Sequence, residues 1–180
     1  GWQRLQTGIP VVMRLTAPDY YDPVDAVSRA DAVIASGTTM EKMRGGIRPD
    51  CHDIPNAVDT ERCRPMASSF RGDHRIAATD PVIIYAARMV AFKRHSWLLD
   101  AFDRFLKQSP AARLILAGGG QLEGELGEKC RRMGLDQHVI FLGQVSYERM
   151  PEIYAAADIK VIASDERESF CFAALEAMAM

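Results

Sequence analysis

The alternation of short apolar segments with longer amphipathic segments after Pro81 is the feature that most limits how this chain can fold. Four segments of four or five residues are apolar enough to be buried strands, at 82–86, 113–117, 139–142 and 159–163. Each is followed by a segment with helical spacing of apolar residues, at 96–107, 122–133, 146–157 and 168–180. Strands that alternate with helices predict an α/β fold, a parallel sheet with helices on both faces.

The first part of the chain repeats this pattern more weakly. Apolar segments at 9–13, 32–35 and near 53–56 predict strands, and helices are predicted near 24–29 and 39–44. A unit of about 64 residues with three strands buries little surface, so we interpret residues 1–64 as the C-terminal part of an earlier α/β domain. Residues 65–80 lack periodicity and are predicted to be a linker, which leaves 81–180 as a second domain.

Composition and charge exclude several classes of protein. A net charge of −2 with scattered basic residues gives no reason to expect a nucleic-acid partner. No apolar run approaches the roughly 20 residues that span a bilayer. The four cysteines are widely spaced, which indicates reduced thiols in a cytoplasmic protein. The four histidines show no metal-ligand spacing, so no metal site is predicted.

Two charged loops are predicted to meet at one end of the second sheet. Right-handed crossovers favour the strand order 3-2-1-4, and ligands bind such sheets outside the carboxyl ends of the first and fourth strands. The loop after the first strand, 88–95, contains Arg88 and Lys93, whereas the loop after the fourth, 164–169, contains Glu168. Cations suit phosphate, and carboxylates accept hydrogen bonds from sugar hydroxyls. Together they predict a nucleotide-sugar site, although each charge taken alone could be an ordinary solvated side chain.

Two further features allow both a structural and a ligand-binding interpretation. Glu176 lies in an apolar helical segment, so its carboxylate needs a partner, either a neighbouring amide or arginine or a bound ligand. The helix that begins near Ser169 offers free amides to an anion. Gly118 and Gly120 could form a simple turn or let the backbone approach a nucleotide. A dinucleotide fingerprint would require another glycine at Glu123, so nicotinamide or flavin binding is not predicted.

Seven passages in order resemble the retaining GT-B glycosyltransferases of glycosyltransferase family 4, and together they cover nearly the whole chain. They are 28–36, 54–59 with Pro65, Arg88 with Lys93, 117–120, 139–143, 154–158, and Glu168 with Glu176. The resemblance implies a Rossmann-like donor domain at 81–180, preceded by the end of an acceptor-side domain. It also implies an enzyme that moves a sugar from a nucleoside-diphosphate sugar to a glycan or lipid-linked acceptor without a bound metal.

The resemblance also implies roles for individual residues. Arg88 and Lys93 would hold the diphosphate, and Glu168 would contact the transferred sugar, which makes these three the expected catalytic residues. The other expected donor contacts are Glu176 at the ribose, Gly118 and Gly120 beside the nucleotide, Gly143 near the base, and the amides of Ser169, Phe170 and Cys171.

Departures from the family pattern leave other functions open. Cys171 and Arg94 stand where the family commonly has glycine, and the chain is expected to be truncated at both ends. An incomplete sheet would have an open edge that favours self-association. A nucleotide-binding module without turnover, a nucleotide-sugar epimerase and a remnant without ligand are the alternatives. We expect a cytoplasmic protein, with the parent enzyme peripheral to the inner membrane face.

Overall fold

The computed structural model describes residues 10–15, 24–168 and 170–180, which form two compact units that divide between Ala57 and Val58. The first unit contains a three-stranded parallel sheet in the order β1-β2-β3. Its buried side chains include Val27, Val33 and Cys51. Its elements are β1 (Val12–Arg14), α1 (Val24–Arg29), β2 (Ala32–Ala35), α2 (Gly37–Lys42), a π-helical turn (Met43–Ile47) and β3 (His52–Asp53).

The second unit contains a four-stranded parallel sheet in the order β6-β5-β4-β7. This is the predicted order 3-2-1-4 for the four strands after Pro81, so that prediction is confirmed. The elements are α3 (Phe70–Asp73), β4 (Val82–Ala86), a 3-10 turn (Ala91–Lys93), α4 (His95–Leu106), β5 (Arg113–Ala117), α5 (Glu123–Arg132), β6 (Val139–Gly143), α6 (Met150–Ala155), β7 (Ile159–Lys160) and α7 (Phe172–Met178).

Both faces of this sheet are buried. Successive side chains of a strand point to opposite faces, and β4 accordingly supplies Tyr85 to one core cluster and Ile84 to the other. The first cluster includes Phe102 of α4 and Leu126 of α5, whereas the second includes Ile153 of α6. A strand that is buried on both faces has apolar residues at every position. This is why polar and apolar residues do not alternate over 82–86.

The residues that we expected to be a linker pack against the second unit. Within 65–80, Phe70 is buried in a core cluster, and Arg71 donates to the Ala156 carbonyl oxygen at 2.8 Å. Arg71 also pairs with Asp158 at 2.7 Å. The compact unit begins at Val58. One helical turn with a single buried aromatic produces no periodicity in a sequence, so the pattern alone resembled a linker.

Three elements are shorter than predicted. The helix expected from Ser146 begins at Met150, because Pro151 favours the first turn of a helix. The strand expected over 159–163 pairs only at Ile159 and Lys160. It lies at the edge of the described sheet, and self-association through this edge stays a prediction. The helix expected from Glu168 begins at Phe172.

No helix among the described residues is long and apolar enough to cross a membrane.

Candidate functional site

Two loops meet at the carboxyl ends of β4 and β7. The Asp165 amide donates to the Phe92 carbonyl oxygen at 3.0 Å, and the Lys93 ammonium group forms an ion pair with the Glu168 carboxylate. Arg94 lies 3.5 Å from the Asp165 carboxylate. The prediction that the basic and acidic loops meet is therefore confirmed for Lys93 and Glu168, whereas Arg88 takes no part in this contact. The region where the two loops meet is called the crevice below.

A hydrogen-bond network holds the Lys93–Glu168 pair in place. The Tyr85 hydroxyl donates to the Lys93 carbonyl oxygen at 2.8 Å and lies 3.1 Å from the Ser164 hydroxyl. Ser164 in turn donates to Glu168 at 2.8 Å. The Lys93 and Glu168 side chains are 13% and 19% exposed, so a ligand can still reach them. Burial raises the pKa of Tyr85, which keeps its phenol protonated as a donor.

Two arginines, Arg94 and Arg167, also hold the acidic loop in place through Asp165. The Asp165 side chain is only 5% exposed and accepts hydrogen bonds from Arg167 at 3.0 Å and 2.5 Å. These bonds hold the pKa of Asp165 well below its usual range. Arg94 has a φ of 51° where the family commonly has glycine, and its guanidinium lies 4.7 Å from the ring centre of Trp97. The loop therefore keeps an irregular backbone up to Glu168, and α7 begins at Phe172.

Arg88 occupies a neighbouring cleft rather than the Lys93–Glu168 contact. This cleft has a volume of about 500 Å³, and the glycine turn 118–120, Glu123 and Gln144 line it together with Arg88. Arg88 is exposed, and no side chain in the described part of the chain forms an ion pair with it. Its guanidinium is thus available to an anion.

Gly118 and Gly120 allow two loops to pack against each other. Their φ angles are 131° and 155°, and a Cβ at Gly118 would clash with the Ala87 carbonyl group. A Cβ at Gly120 would lie 2.6 Å from the Met89 carbonyl oxygen. The close approach that these glycines permit in this structure is to the backbone after β4. Gly143, with a φ of 61°, accepts a hydrogen bond from the Gly118 amide at 2.7 Å and completes this corner.

Glu176 has two protein partners. Its carboxylate lies 3.3 Å from the Arg62 guanidinium and accepts a hydrogen bond from the Tyr154 hydroxyl at 3.2 Å. Arg62 also donates to the Tyr147 carbonyl oxygen at 2.6 Å. The Glu176 side chain is 15% exposed. These contacts support the structural interpretation, in which an arginine forms an ion pair with a largely buried glutamate. A carboxylate with two partners still has acceptor positions left for the hydroxyl groups of a ligand.

The remaining predicted residues lie around the start of α7. Ser169 lies outside the described residues. Phe170 is 38% exposed and contacts the Phe172 ring edge to face. The Cys171 carbonyl accepts a hydrogen bond from the Ala174 amide at 3.0 Å. Their predicted amide contacts to a ligand stay predictions.

Two titratable residues outside the predicted site lie beside Tyr85. The His95 ring centre is 4.7 Å from that of Tyr85, and Lys160 places its ammonium nitrogen 5.3 Å from the Tyr85 ring centre. Burial lowers the pKa of His95 to about 4 and that of Lys160 to about 8. The position of Lys160 beside Tyr85 follows from the pairing of β7 with β4, in which Lys160 lies opposite Ile84. The sequence alone does not reveal this pairing register.

His95 should make the second unit sensitive to acid. It is 2% exposed, and the effect of this burial on the pKa of His95 is offset only in part by the Ala87 backbone, which acts to raise that pKa. The unfolded chain takes up a proton below pH 6.5, whereas the folded chain does so only near pH 4, so stability falls as the pH drops between these values. We expect wild type to lose about 2 kcal/mol more than His95→Phe between pH 7 and pH 4.5. Urea unfolding followed by Trp97 fluorescence in a Trp2→Phe background measures this, with exposed His74→Phe as the control. Equal losses in wild type and His95→Phe would contradict the prediction.

The family assignment rests on a match to the family model described as "Glycosyl transferases group 1", which covers residues 67–180. This chain belongs to the group 1 glycosyltransferase family. The matched residues include the packed turn at Phe70, both charged loops and α7. It confirms the family that the sequence resembles, including the GT-B type of fold.

Relatives in sequence are longer than this group 1 chain. Mannosylfructose-phosphate synthase of Agrobacterium fabrum is 33% identical over 142 residues, which cover 73% of this chain and 31% of the relative. The putative glycosyltransferase EpsD of Bacillus subtilis is 30% identical over 174 residues, which cover 94% of this chain and 43% of the relative. The chain therefore spans less than half the length of these relatives.

Solved structures of glycosyltransferases share the fold. HepE of Anabaena in complex with UDP and glucose superposes with a TM-score of 0.80 at 24% identity, covering 98% of this chain and 52% of that one. The C-terminal domain of the group 1 protein LpcC of Francisella tularensis is 30% identical, with a TM-score of 0.59 over 68% of this chain and 66% of that one. The predicted parallel sheet covered by helices is confirmed.

Among the described residues, no group of three His, Cys, Asp or Glu side chains is arranged to hold a metal ion.

Proposed function

We propose that this chain is the donor-binding part of a retaining glycosyltransferase, which moves a sugar from a nucleoside-diphosphate sugar to a glycan or lipid-linked acceptor. The observation that supports this most is the Lys93–Glu168 contact, which puts a phosphate-binding cation and a hydroxyl-binding carboxylate in one crevice. The names of similar proteins agree with a nucleotide-sugar donor. One is a GDP-mannose-dependent mannosyltransferase of Corynebacterium glutamicum, and HepE of Anabaena has been solved with UDP-glucose.

In this proposal Arg88 and Lys93 bind the diphosphate and stabilise its charge as it leaves. Lysine contributes a compact positive charge, and arginine a planar fork that can hold two phosphate oxygens. Cations aimed at a developing negative charge lower the barrier without a metal ion. Glu168 accepts hydrogen bonds from the hydroxyls of the transferred sugar, because Ser164 and Lys93 already orient its carboxylate.

The other contacts surround this centre. Glu176 binds the ribose hydroxyls with the acceptor positions that Arg62 and Tyr154 leave unused. Gly118, Gly120 and Gly143 shape the corner next to the base. The amides of Ser169, Phe170 and Cys171 border the phosphate or sugar. Residues 1–64 belong to an acceptor-side domain in this scheme, and the enzyme works in the cytoplasm.

A second candidate function is a nucleotide-binding module without turnover. The residues that support the donor site bear on binding alone, because the Lys93–Glu168 contact and the Glu176 partners say nothing about an acceptor. This chain aligns with 31% of one relative and 43% of another, so binding and transfer are tested separately.

The experiment that tests the proposal combines binding with transfer. Thermal shifts with UDP, GDP and ADP identify the base, and the matching nucleotide-sugars are then offered with glycan and lipid acceptors. Binding with transfer supports the enzyme, and binding without transfer supports the module. A chain that binds none of the three nucleotides would overturn both. Product analysis without an acceptor separates an epimerase from a transferase.

Glu176→Gln should weaken nucleotide binding by about 1–3 kcal/mol, because a buried carboxylate that accepts two ribose hydroxyls loses its charge. Calorimetry with the preferred nucleoside measures the change. Glu128→Gln is a matched control, since the Glu128 side chain is 65% exposed and its ion pair, with Arg132, lies within its own helix. If Glu176→Gln binds the nucleoside as tightly as wild type, Glu176 is a core residue without a ligand role.

A further inference from the structure

Lys160 projects from the last paired position of β7 toward the carboxyl end of β4. Its ammonium nitrogen lies 3.5 Å from the carbonyl oxygen of Ala86, the final residue of β4. It also lies 5.3 Å from the ring centre of Tyr85 and 5.9 Å from that of Tyr154. The lysine thus reaches the end of the sheet where the two charged loops meet.

Each of the two tyrosines connects this ammonium group to one of the predicted glutamate sites. Tyr85 contacts Ser164, which donates to Glu168. Tyr154 donates to Glu176. Although burial lowers the pKa of Lys160, both carboxylates act to raise it, so its ammonium group lies within electrostatic range of the carboxylate proposed for the sugar and of the one proposed for the ribose.

The hydrogen-bonding capacity of Lys160 is largely unused. An ammonium group has three donors, and the Ala86 carbonyl, at 3.5 Å, is a weak partner for one of them. No carboxylate in the described part of the chain lies within 4 Å of it. Burial lowers its pKa to about 8, which is the response expected of a cation without a close counter-ion. A partly buried cation with free donors fits an anion that arrives with a ligand.

The ligand class follows from the spacing of the groups. In a nucleoside-diphosphate sugar, the diphosphate is the segment that joins the ribose to the transferred sugar. A cation within electrostatic range of both the ribose site and the sugar site can therefore reach that segment. Lys160 would supplement Lys93, whose charge is already shared with Glu168.

We propose that Lys160 is a donor-binding residue whose ammonium group binds a phosphate oxygen of the diphosphate, between Glu168 and Glu176. This inference rests on the proposed function, because it needs a nucleoside diphosphate in the crevice.

The decisive variant is Lys160→Met, which keeps a flexible apolar stem and removes the charge. Calorimetry compares the preferred nucleoside diphosphate with its nucleoside. We expect the affinity for the diphosphate to fall roughly 10- to 100-fold, as for a lost charged hydrogen bond, and the affinity for the nucleoside to change less than about twofold. Lys107→Met is the control, because the Lys107 side chain is 74% exposed and outside the crevice. Unchanged diphosphate affinity, or equal losses for both ligands, would overturn the inference.

Labelling of the wild-type chain gives a test that does not depend on a variant. Pyridoxal 5′-phosphate condenses with an amine to form an imine and water, and borohydride then reduces the imine to a stable amine. Mass spectrometry should find Lys160 labelled, with protection by the nucleoside diphosphate and none by the nucleoside. Equal labelling with and without the diphosphate would contradict the assignment. If wild type binds no nucleotide at all, the proposed function fails. If it binds and Lys160→Met binds equally, only this inference fails.

Discussion

Gly118→Ala should destabilise the second unit by about 3 kcal/mol or more, a large share of the stability of an ordinary domain. The new Cβ would clash with the Ala87 carbonyl group, which is backbone and cannot rotate away. The φ of 131° at Gly118 is also rarely adopted by alanine. Urea unfolding followed by Trp97 fluorescence in a Trp2→Phe background should therefore show a much lower midpoint, or no folded baseline.

Gly124→Ala provides the control, since Gly124 lies in α5 with open space around its Cα. Alanine is the better helix former there, so this variant should gain roughly 0.5–1 kcal/mol. If Gly118→Ala unfolds at the same urea concentration as wild type, the loop after β5 does not depend on the close packing described for it.

The double variant Arg88→Ala with Lys93→Ala should lose roughly 100-fold or more in affinity for the nucleoside diphosphate, because two charged hydrogen bonds of about 1.5–3 kcal/mol each disappear. The nucleoside has no phosphate, so its affinity should fall far less. Calorimetry with both ligands measures the difference.

Lys107→Ala with Arg132→Ala removes the same net charge from side chains that are 74% and 68% exposed, and it controls for general electrostatics. Arg88→Ala alone leaves the Lys93–Glu168 pair intact and separates the two cations. Equal losses for diphosphate and nucleoside in the double variant would contradict the phosphate role.

Strand-level features were predicted well because they depend on local patterns. The strands 82–86 and 113–117 have the predicted ends, and the order of the sheet follows from the handedness of its crossovers. The start of α7 was placed too early, since nothing local reveals that Glu168 is bonded to Lys93. The compact turn around Phe70 was missed because its ties to the rest of the unit, from Arg71 to Ala156 and Asp158, span more than eighty residues.

The site was predicted in part. The meeting of the loops at Lys93 and Glu168 followed from topology, and the roles of the residues came from the family resemblance. Arg62 could not be found, because 114 residues separate it from Glu176 and no motif links them. Lys160 was missed since a lysine in a short strand is normally read as an exposed edge residue.

The contact between Lys93 and Glu168 also has a consequence for selectivity. If a free inorganic anion bound Lys93, Glu168 would lose its counter-ion at a position that is only 19% exposed. Leaving a largely buried carboxylate unpaired costs free energy. A molecule that carries both an anion and hydroxyl donors replaces what each side chain gives up. Under the proposed function, this contact therefore favours compounds in which phosphate and carbohydrate are covalently joined over simple inorganic anions.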